Sequence, residues 1–314
     1  MVGSNPRRRR RLWKSARIAG YLVAAWLIVS WAVAYKLTHR RYRPFAEPVP
    51  EVAWTRFEEH RLRTDDGQEI GAWYAAGSDD RAPSVVLIHG NGGSRGHVLG
   101  RAALVARQAG CSVLLITLRA HGDSTGEFND IGFGARCDVI AAVSFLERRR
   151  PGRPVVLLGT SLGGAAALFA AEELGHRVGG YILESPYHDL KTAVQNRTEN
   201  ELLPGLSWLA YRGLLAVSPL LIPHLDRISP HEAIGRVPPD IPILILAGAE
   251  DQSARRAEAQ ALRDRARANC DLHVFPGAGH LQMMQTDPGR YRRAVSNFID
   301  QIARTFNRPQ GELR

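Results

Sequence analysis

A serine flanked by glycines, directly after a short apolar run, is the feature that most restricts how this chain can fold. Residues 154–158 read Pro-Val-Val-Leu-Leu and have the length and β-branched content of a strand buried in a parallel sheet. Gly-Thr-Ser-Leu-Gly follows at 159–163, and the alanine-rich residues 165–171 are typical of a helix packed close to a sheet. A strand, a sharp turn and a helix in this order hold the central serine in a strained, exposed conformation. Ser161 is therefore a candidate nucleophile.

The two groups that would activate this serine are found downstream. A serine hydroxyl needs a base within hydrogen-bond reach and an acid that orients the base. Where such a turn carries a catalytic serine, the chain order is Ser, then Asp or Glu, then His. Asp251 follows the apolar run 241–247, and His280 follows a short predicted strand at 271–275. We predict Asp251 as the orienting acid and His280 as the general base.

Both assignments have an alternative. Glu250 is the competing acid, but the Gly-x-x-Asp turn carries the carboxylate of Asp251 beyond the strand end, toward the serine. Taken alone, Asp251 fits a helix N-cap and His280 fits an ordinary loop histidine. Ser161, Asp251 and His280 follow the expected chain order, each at the carboxyl end of a predicted strand. This combination favours a catalytic triad of the three residues.

Backbone N–H groups are expected to stabilise the negative charge that develops during attack by the serine. One is that of Leu162, directly after the nucleophile, and the other is expected in the loop after the strand at 84–88. That loop, residues 89–94, reads His-Gly-Asn-Gly-Gly-Ser, and we predict the Asn91 N–H as the second donor. An ordinary turn and a phosphate-binding loop are the alternatives, but the glycine spacings of phosphate-binding loops are absent.

Five segments together resemble the ordered signature blocks of the α/β-hydrolase superfamily: residues 89–93, 118–124, 159–164, 248–251 and 279–280. The branch they resemble most is that of serine-aminopeptidase-like and small-cap esterases, and the resemblance spans residues 52–305. It implies a serine hydrolase that cleaves a carboxylic ester, thioester or lipid acyl group through an acyl-enzyme. A serine peptidase and a catalytically silent, membrane-tethered binding protein remain as alternatives.

The chain departs from this family pattern at two places that do not supply the triad. Residues 117–120 read Thr-Leu-Arg-Ala where the family often has Asp-x-Arg-Gly. Ala135 stands three residues before Asp138, where many members have Glu. The departures affect the placement within the family, and we expect His121 and Asp123 to order their loop rather than to catalyse.

The amino end carries a membrane signal. Seven basic residues lie in segment 1–17, and segment 18–35 has no charge. Its 18 residues would span about 27 Å as a helix, close to the thickness of a bilayer core, and we predict a transmembrane anchor. The larger basic cluster before the span predicts a cytoplasmic amino terminus and an extracytoplasmic domain. A secreted protein, cleaved near Ala34, is the alternative, because residues 32–34 read Ala-Val-Ala.

The charge distribution does not support a nucleic-acid partner. Of 41 Lys and Arg residues, eleven lie in residues 1–43 without any acid, which leaves 30 basic against 31 acidic residues in the rest. The domain is therefore near neutral, and the basic segment favours anionic lipid headgroups as partner. The eleven histidines lack the spacing of a metal site, and we expect neither a metal nor a cofactor.

The remaining chain predicts one α/β domain. Prolines at 44, 48 and 50 mark residues 36–51 as a linker. Residues 52–305 are predicted as the domain and residues 306–314 as a tail. Eight predicted strands alternate from the third onward with helices, which indicates a mostly parallel sheet with helices on both faces. The apolar segment 187–238 is predicted as a small helical lid, with Trp208 and Leu214 contacting an acyl substrate; space-filling helices are the alternative.

Overall fold

The computed structural model describes residues 6–40, 42–266 and 269–307. The first five residues of the basic segment, Arg41, residues 267–268, and residues 308–314 of the predicted tail lie outside these ranges. Within them the strands are β1 Glu58–Arg63, β2 Glu69–Ala75, β3 Ser84–Ile88, β4 Ser112–Ile116, β5 Val155–Thr160, β6 Gly180–Glu184, β7 Ile243–Gly248 and β8 Cys270–Phe275. The helices are α1 Pro6–Thr38, α2 Leu99–Ala109, α3 Arg136–Arg149, α4 Leu162–Phe169, α5 Ala171–Leu174, α6 Leu190–Glu201, α7 Pro204–Leu221, α8 Pro230–Ile234, α9 Arg256–Arg265, α10 Met283–Thr286 and α11 Pro288–Phe306.

The strands form one sheet in the order β1-β2-β4-β3-β5-β6-β7-β8. β2 pairs antiparallel with β1 and with β4, and the other neighbours are parallel. Parallel strands need crossover connections, and the helices between them supply these. The prediction of an eight-stranded, mostly parallel sheet is confirmed.

Both faces of the sheet are covered, as predicted. Along β3, Val86 and Ile88 belong to the apolar core shared with α3 and α4, whereas Val85 and Leu87 belong to the core shared with α2 and α11. Side chains that alternate in this way must all be apolar when both faces are buried. This explains why the strands read as continuous apolar runs in the sequence.

Helix α1 is longer than the predicted span. It has 33 residues, about 50 Å at 1.5 Å per residue, and continues on both sides of segment 18–35. Within the described residues it is the single helix whose length and composition would allow it to cross a membrane.

The segment after α1 packs on the loop that follows β4. The guanidinium group of Arg40 donates to the carbonyl oxygens of Gly122, Ser124 and Gly126. Glu47 is buried and accepts a hydrogen bond from Thr117 Oγ1 at 2.8 Å. The predicted linker 36–51 therefore starts within α1, and its later residues contact the domain directly.

Candidate active site

Ser161 occupies the sharp turn that its flanking glycines predict. It has φ 49° and ψ −112°, an unfavourable backbone conformation for a residue with a side chain, and its N–H donates to Glu184 O at 2.7 Å. A Cβ at Gly159 would lie 2.5 Å from Gly164 N, and one at Gly163 would lie 2.5 Å from Ile88 O. Only glycine fits at these two positions, because strand, turn and helix approach each other so closely.

His280 and Asp251 meet at the carboxyl ends of β8 and β7. His280 Nδ1 donates to Asp251 Oδ2 at 2.8 Å, and the other carboxylate oxygen accepts from the N–H groups of Ser253 and Ala254. Asp251 is buried, whereas the competing acid Glu250 is exposed. The structure thus pairs His280 with Asp251 rather than with Glu250.

Two opposing effects act on the acidity of Asp251. Burial raises the pKa of its carboxyl group, whereas the hydrogen bond from His280, the charge of that ring and the Ala254 N–H lower it. The net pKa lies below its ordinary value, so the group is a carboxylate at neutral pH. The carboxylate accepts the hydrogen bond from Nδ1 of His280, so in the neutral ring Nε2 is the acceptor. No hydrogen bond joins the Ser161 hydroxyl to His280 in this structure.

The predicted oxyanion loop lies beside the serine. A Cβ at Gly90 would lie 3.5 Å from Ser161 Cβ, so this loop contacts the turn directly. Asn91 is exposed, and its side-chain Oδ1 accepts from Asn129 Nδ2 at 2.9 Å. Leu162 is the first residue of α4, where N–H groups have no acceptor within the helix. Leu162 directly follows the serine, and Asn91 directly follows Gly90 in the loop that contacts the turn. Their role in holding an oxyanion stays a prediction.

Two histidines hold this loop against the loop after β4. His89 Nε2 accepts from Leu118 N at 2.9 Å, and His121 Nε2 accepts from Gly92 N at 3.1 Å. Burial lowers the pKa of His89 to about 3 and also lowers the pKa of His121. Both rings are therefore neutral at physiological pH, as an accepting nitrogen requires.

Asp123 forms an ion pair with a buried arginine. Arg95 is fully buried and donates to Asp123 at 2.6 and 2.8 Å, and it lies 3.3 Å from Glu47 Oε1. Its guanidinium group also stacks over the ring of Trp73. This cluster joins the segment after α1 to both loops near the serine.

A second buried ion pair lies behind the turn. Arg101 on α2 donates to both carboxylate oxygens of Glu184 at 2.6 to 3.0 Å, and the hydroxyl of Tyr291 donates to the same carboxylate. Arg101 also donates to the carbonyl oxygen of Leu281, next to His280, at 3.4 Å. Because Glu184 O accepts from Ser161 N, one ion pair contacts the backbone of both the serine turn and the histidine loop.

Sequence reasoning missed Arg95, Arg101, Glu184 and Tyr291. An arginine or a carboxylate in a helix or at a strand end is normally on the surface, so nothing local marks these as buried. The one exception is Glu184, because a charged residue at the end of an apolar strand is a signal of a buried carboxylate that the sequence does show.

The two predicted lid residues lie in different surroundings. Trp208 is 63% exposed and lines a cleft of about 460 Å³ between α6 and α7. Leu214 is buried against Ala34 of α1 and Val217. The segment is helical, as predicted, but the principal neighbours of α7 are α1 and α6. Contact of either residue with a substrate stays a prediction.

Among the residues that the structure describes, no group of three or more His, Cys, Asp or Glu side chains is arranged to hold a metal ion. The three cysteines, at positions 111, 137 and 270, are free thiols.

Comparison with known proteins agrees with this architecture. The esterase Pf2001 of Pyrococcus furiosus superimposes with a TM-score of 0.66 at 20% identity, over 83% of this chain and 98% of the esterase. The uncharacterized membrane protein YNL320W of Saccharomyces cerevisiae is 27% identical over 58% of this chain. The lysophosphatidylserine lipase ABHD12 of Danio rerio is 26% identical over 54% of it. The matched regions span 66% and 46% of those two relatives.

The family model of the alpha/beta hydrolase family matches residues 85–294, two thirds of the sequence. This region starts at the third strand and includes the serine turn, the acid and the histidine. It ends within the last described helix, α11. The chain belongs to the alpha/beta hydrolase family.

Proposed function

We propose that the protein is a membrane-anchored serine hydrolase that cleaves a carboxylic ester, thioester or lipid acyl group. The observation that carries the proposal is the 2.8 Å hydrogen bond between His280 and buried Asp251, at the same sheet edge as strained Ser161. A serine at such a turn, with an oriented imidazole at that edge, is equipped for acyl transfer.

In the proposed reaction, Ser161 Oγ attacks the carbonyl carbon while His280 Nε2 takes the hydroxyl proton. Asp251 orients the ring and stabilises the imidazolium that forms. The N–H groups of Leu162 and Asn91 hold the oxyanion. His280 then gives its proton to the leaving alcohol or thiol, and a water molecule, activated by the same ring, hydrolyses the acyl-enzyme and restores the serine.

The substrate class is supported from two sides. One relative is named as a lysophosphatidylserine lipase and one similar structure as an esterase. Helix α1 has the length and composition of a membrane span, which favours acyl substrates that reside in membranes. We propose α1 as the anchor. Its flanking charges still predict a cytoplasmic amino terminus and an extracytoplasmic hydrolase domain. The peptidase and the silent binding protein are the competing functions.

A fluorophosphonate probe tests the proposal. The wild-type protein should be labelled and should hydrolyse p-nitrophenyl esters, whereas Ser161→Ala should lose both. Ser144→Ala is the matched control, because Ser144 bonds Arg177 on the surface. Labelling that persists in Ser161→Ala would refute the nucleophile, and an unlabelled wild type would favour the silent protein. Amide cleavage faster than ester cleavage would favour the peptidase.

A further inference from the structure

Asn129, in the loop between β4 and α3, bonds the side chain of Asn91. Its Nδ2 donates to Asn91 Oδ1 at 2.9 Å. Its Oδ1 accepts from the N–H of Ile131 at 3.1 Å, and this fixes the orientation of the amide, since only the nitrogen can donate. Asn129 is buried, whereas Asn91 is exposed. The bond therefore joins an oriented, buried side chain to an exposed loop residue.

The backbone of Asn129 is held by the end of helix α1. Its N–H donates to Thr38 O at 2.7 Å, and the N–H of Arg40 donates to Glu127 O at 2.7 Å. An antiparallel β-bridge lies between these two bonds. The end of the helix and this loop therefore pair as a short antiparallel ladder.

The residues that follow Asn129 are held by buried groups. The hydroxyl of buried Tyr187, which follows β6, donates to Ile131 O at 2.7 Å. The carboxylate of Asp130 is buried as well and accepts from the N–H of Gly134 at 2.8 Å. A shift of this segment would leave buried polar groups without partners, which is costly. Asn129 is therefore a fixed support and does not adapt to Asn91 as a free surface loop would.

The loop that carries Asn91 needs such a support. Gly92 directly follows Asn91 and has φ 74°, a conformation that glycine adopts without strain but that also leaves the chain freedom to change. A donor that stabilises an oxyanion must be in position before the reaction, because reorganisation during the step reduces its effect. The bond from Asn129 restricts the residue whose N–H is assigned to this task.

We propose that Asn129 is a positioning residue for the hydrolase reaction and that it acts through the side chain of Asn91. It holds the loop so that the Asn91 N–H faces the oxyanion, and it is itself held by the end of α1. The inference rests on the proposed function, and in particular on Asn91 as an oxyanion donor. It adds that the helix proposed as the anchor supports the active site through one buried asparagine.

A double-mutant cycle in the full-length, detergent-solubilised protein tests this. Asn129→Ala removes the donor, and Asn91→Ala removes its acceptor but keeps the backbone N–H. We would measure kcat and KM for p-nitrophenyl butyrate in the wild type, both single variants and the double variant, per active site counted by complete fluorophosphonate labelling. Asn307→Ala, at an exposed asparagine directly after α11, is the matched control. If Asn129→Ala does not fold, Asn129→Asp takes its place, because a carboxylate still accepts from Ile131 but cannot donate to Asn91.

We expect Asn129→Ala to lower kcat per active site at least about fivefold with KM within about twofold, because an oxyanion donor acts mainly in the transition state. The double variant should stay within about twofold of Asn91→Ala, since both changes remove the same bond. Asn307→Ala should match the wild type.

Three results would overturn the inference and leave the proposed function in place. They are an unchanged kcat in Asn129→Ala, a double variant in which the two losses multiply, and fewer labelled sites with a normal kcat per site, which indicates a purely structural role. A wild type that is neither labelled nor active on the ester would refute the proposed function, and the inference with it.

Discussion

His89 and His121 each accept a hydrogen bond from a backbone N–H of the loop that carries the other histidine. His89 Nε2 bonds the N–H of Leu118, and His121 Nε2 bonds the N–H of Gly92, with ring centroids 5.0 Å apart. The second nitrogen of each ring donates to a carbonyl oxygen, of Gly90 and of Arg119. The pair fixes the loop that carries Asn91, and it does so only while both rings are neutral.

This arrangement predicts a loss of stability in acid. In the unfolded chain a histidine binds its proton near pH 6.5, whereas burial lowers the pKa of His89 to about 3 in the folded state. The unfolded state therefore binds more protons between these two values, and the free energy of unfolding falls as pH decreases through that window. Chemical denaturation at pH 7, 6, 5 and 4 measures it.

The variant His121→Gln measures how much of this pH dependence comes from His121, whose pKa is also lowered by burial. A glutamine oxygen can accept from Gly92 N without titrating, so the fall in stability below pH 6.5 should be smaller than in the wild type. Replacement of the exposed His176 by Gln is the control. Equal pH dependence in His121→Gln and the wild type would contradict the prediction.

Variants of the neighbouring acids Asp251 and Glu250 test which of the two orients His280. Asp251→Asn should reduce kcat/KM by about 10³- to 10⁴-fold, because the asparagine no longer selects the imidazole tautomer needed by the serine. Glu250→Gln, one residue away and exposed, should stay within about twofold of the wild type, since surface changes are usually small. Steady-state ester hydrolysis compares the two. The opposite order of effects would assign the acid to Glu250.

The buried ion pair behind the turn should matter far more than a surface pair. Arg101→Met leaves the carboxylate of Glu184 buried without its cation and should cost about 3–5 kcal/mol in unfolding free energy. Arg236→Met removes an exposed pair with Glu172 and should cost about 0–1 kcal/mol. Urea denaturation measures both. Similar losses in the two variants would show that the Arg101 pair is not the support inferred from its contacts.

The two predicted lid residues should respond differently to truncation. Leu214→Ala removes a side chain buried against α1 and should cost about 2–5 kcal/mol in unfolding free energy. Trp208→Ser alters an exposed residue and should leave stability within about 0.5 kcal/mol. If Trp208 contacts an acyl chain, the serine variant loses octanoyl activity more than acetyl activity. An unchanged ratio of the two activities would refute the substrate role of Trp208.

Local patterns of the sequence were sufficient for the sheet and for the serine turn. A continuous apolar run and a Gly-x-Ser-x-Gly are short-range signals, because the backbone conformation that they require depends on adjacent residues. The prediction of Asp251 and His280 used the chain order serine, acid, histidine known for such turns, together with the position of each residue after a predicted strand. The uncharged stretch at 18–35 likewise predicted a helix without any tertiary information.

Other features were decided by tertiary contacts alone. The Gly-x-x-Asp turn favoured Asp251 over Glu250 in the sequence, but only the folded chain brings the Asp251 carboxylate within hydrogen-bond distance of His280. The burial of Arg101 depends on Glu184, 83 residues away, since a charge enters a core only where a partner and hydrogen bonds offset its desolvation. The position of α7 depends on its contacts with α1, where Gly213 fits against Ser30 and Leu214 packs against Ala34, about 180 residues away in the sequence. Sequence periodicity identifies the apolar face of a helix, but the surface that covers that face is determined by the rest of the folded chain.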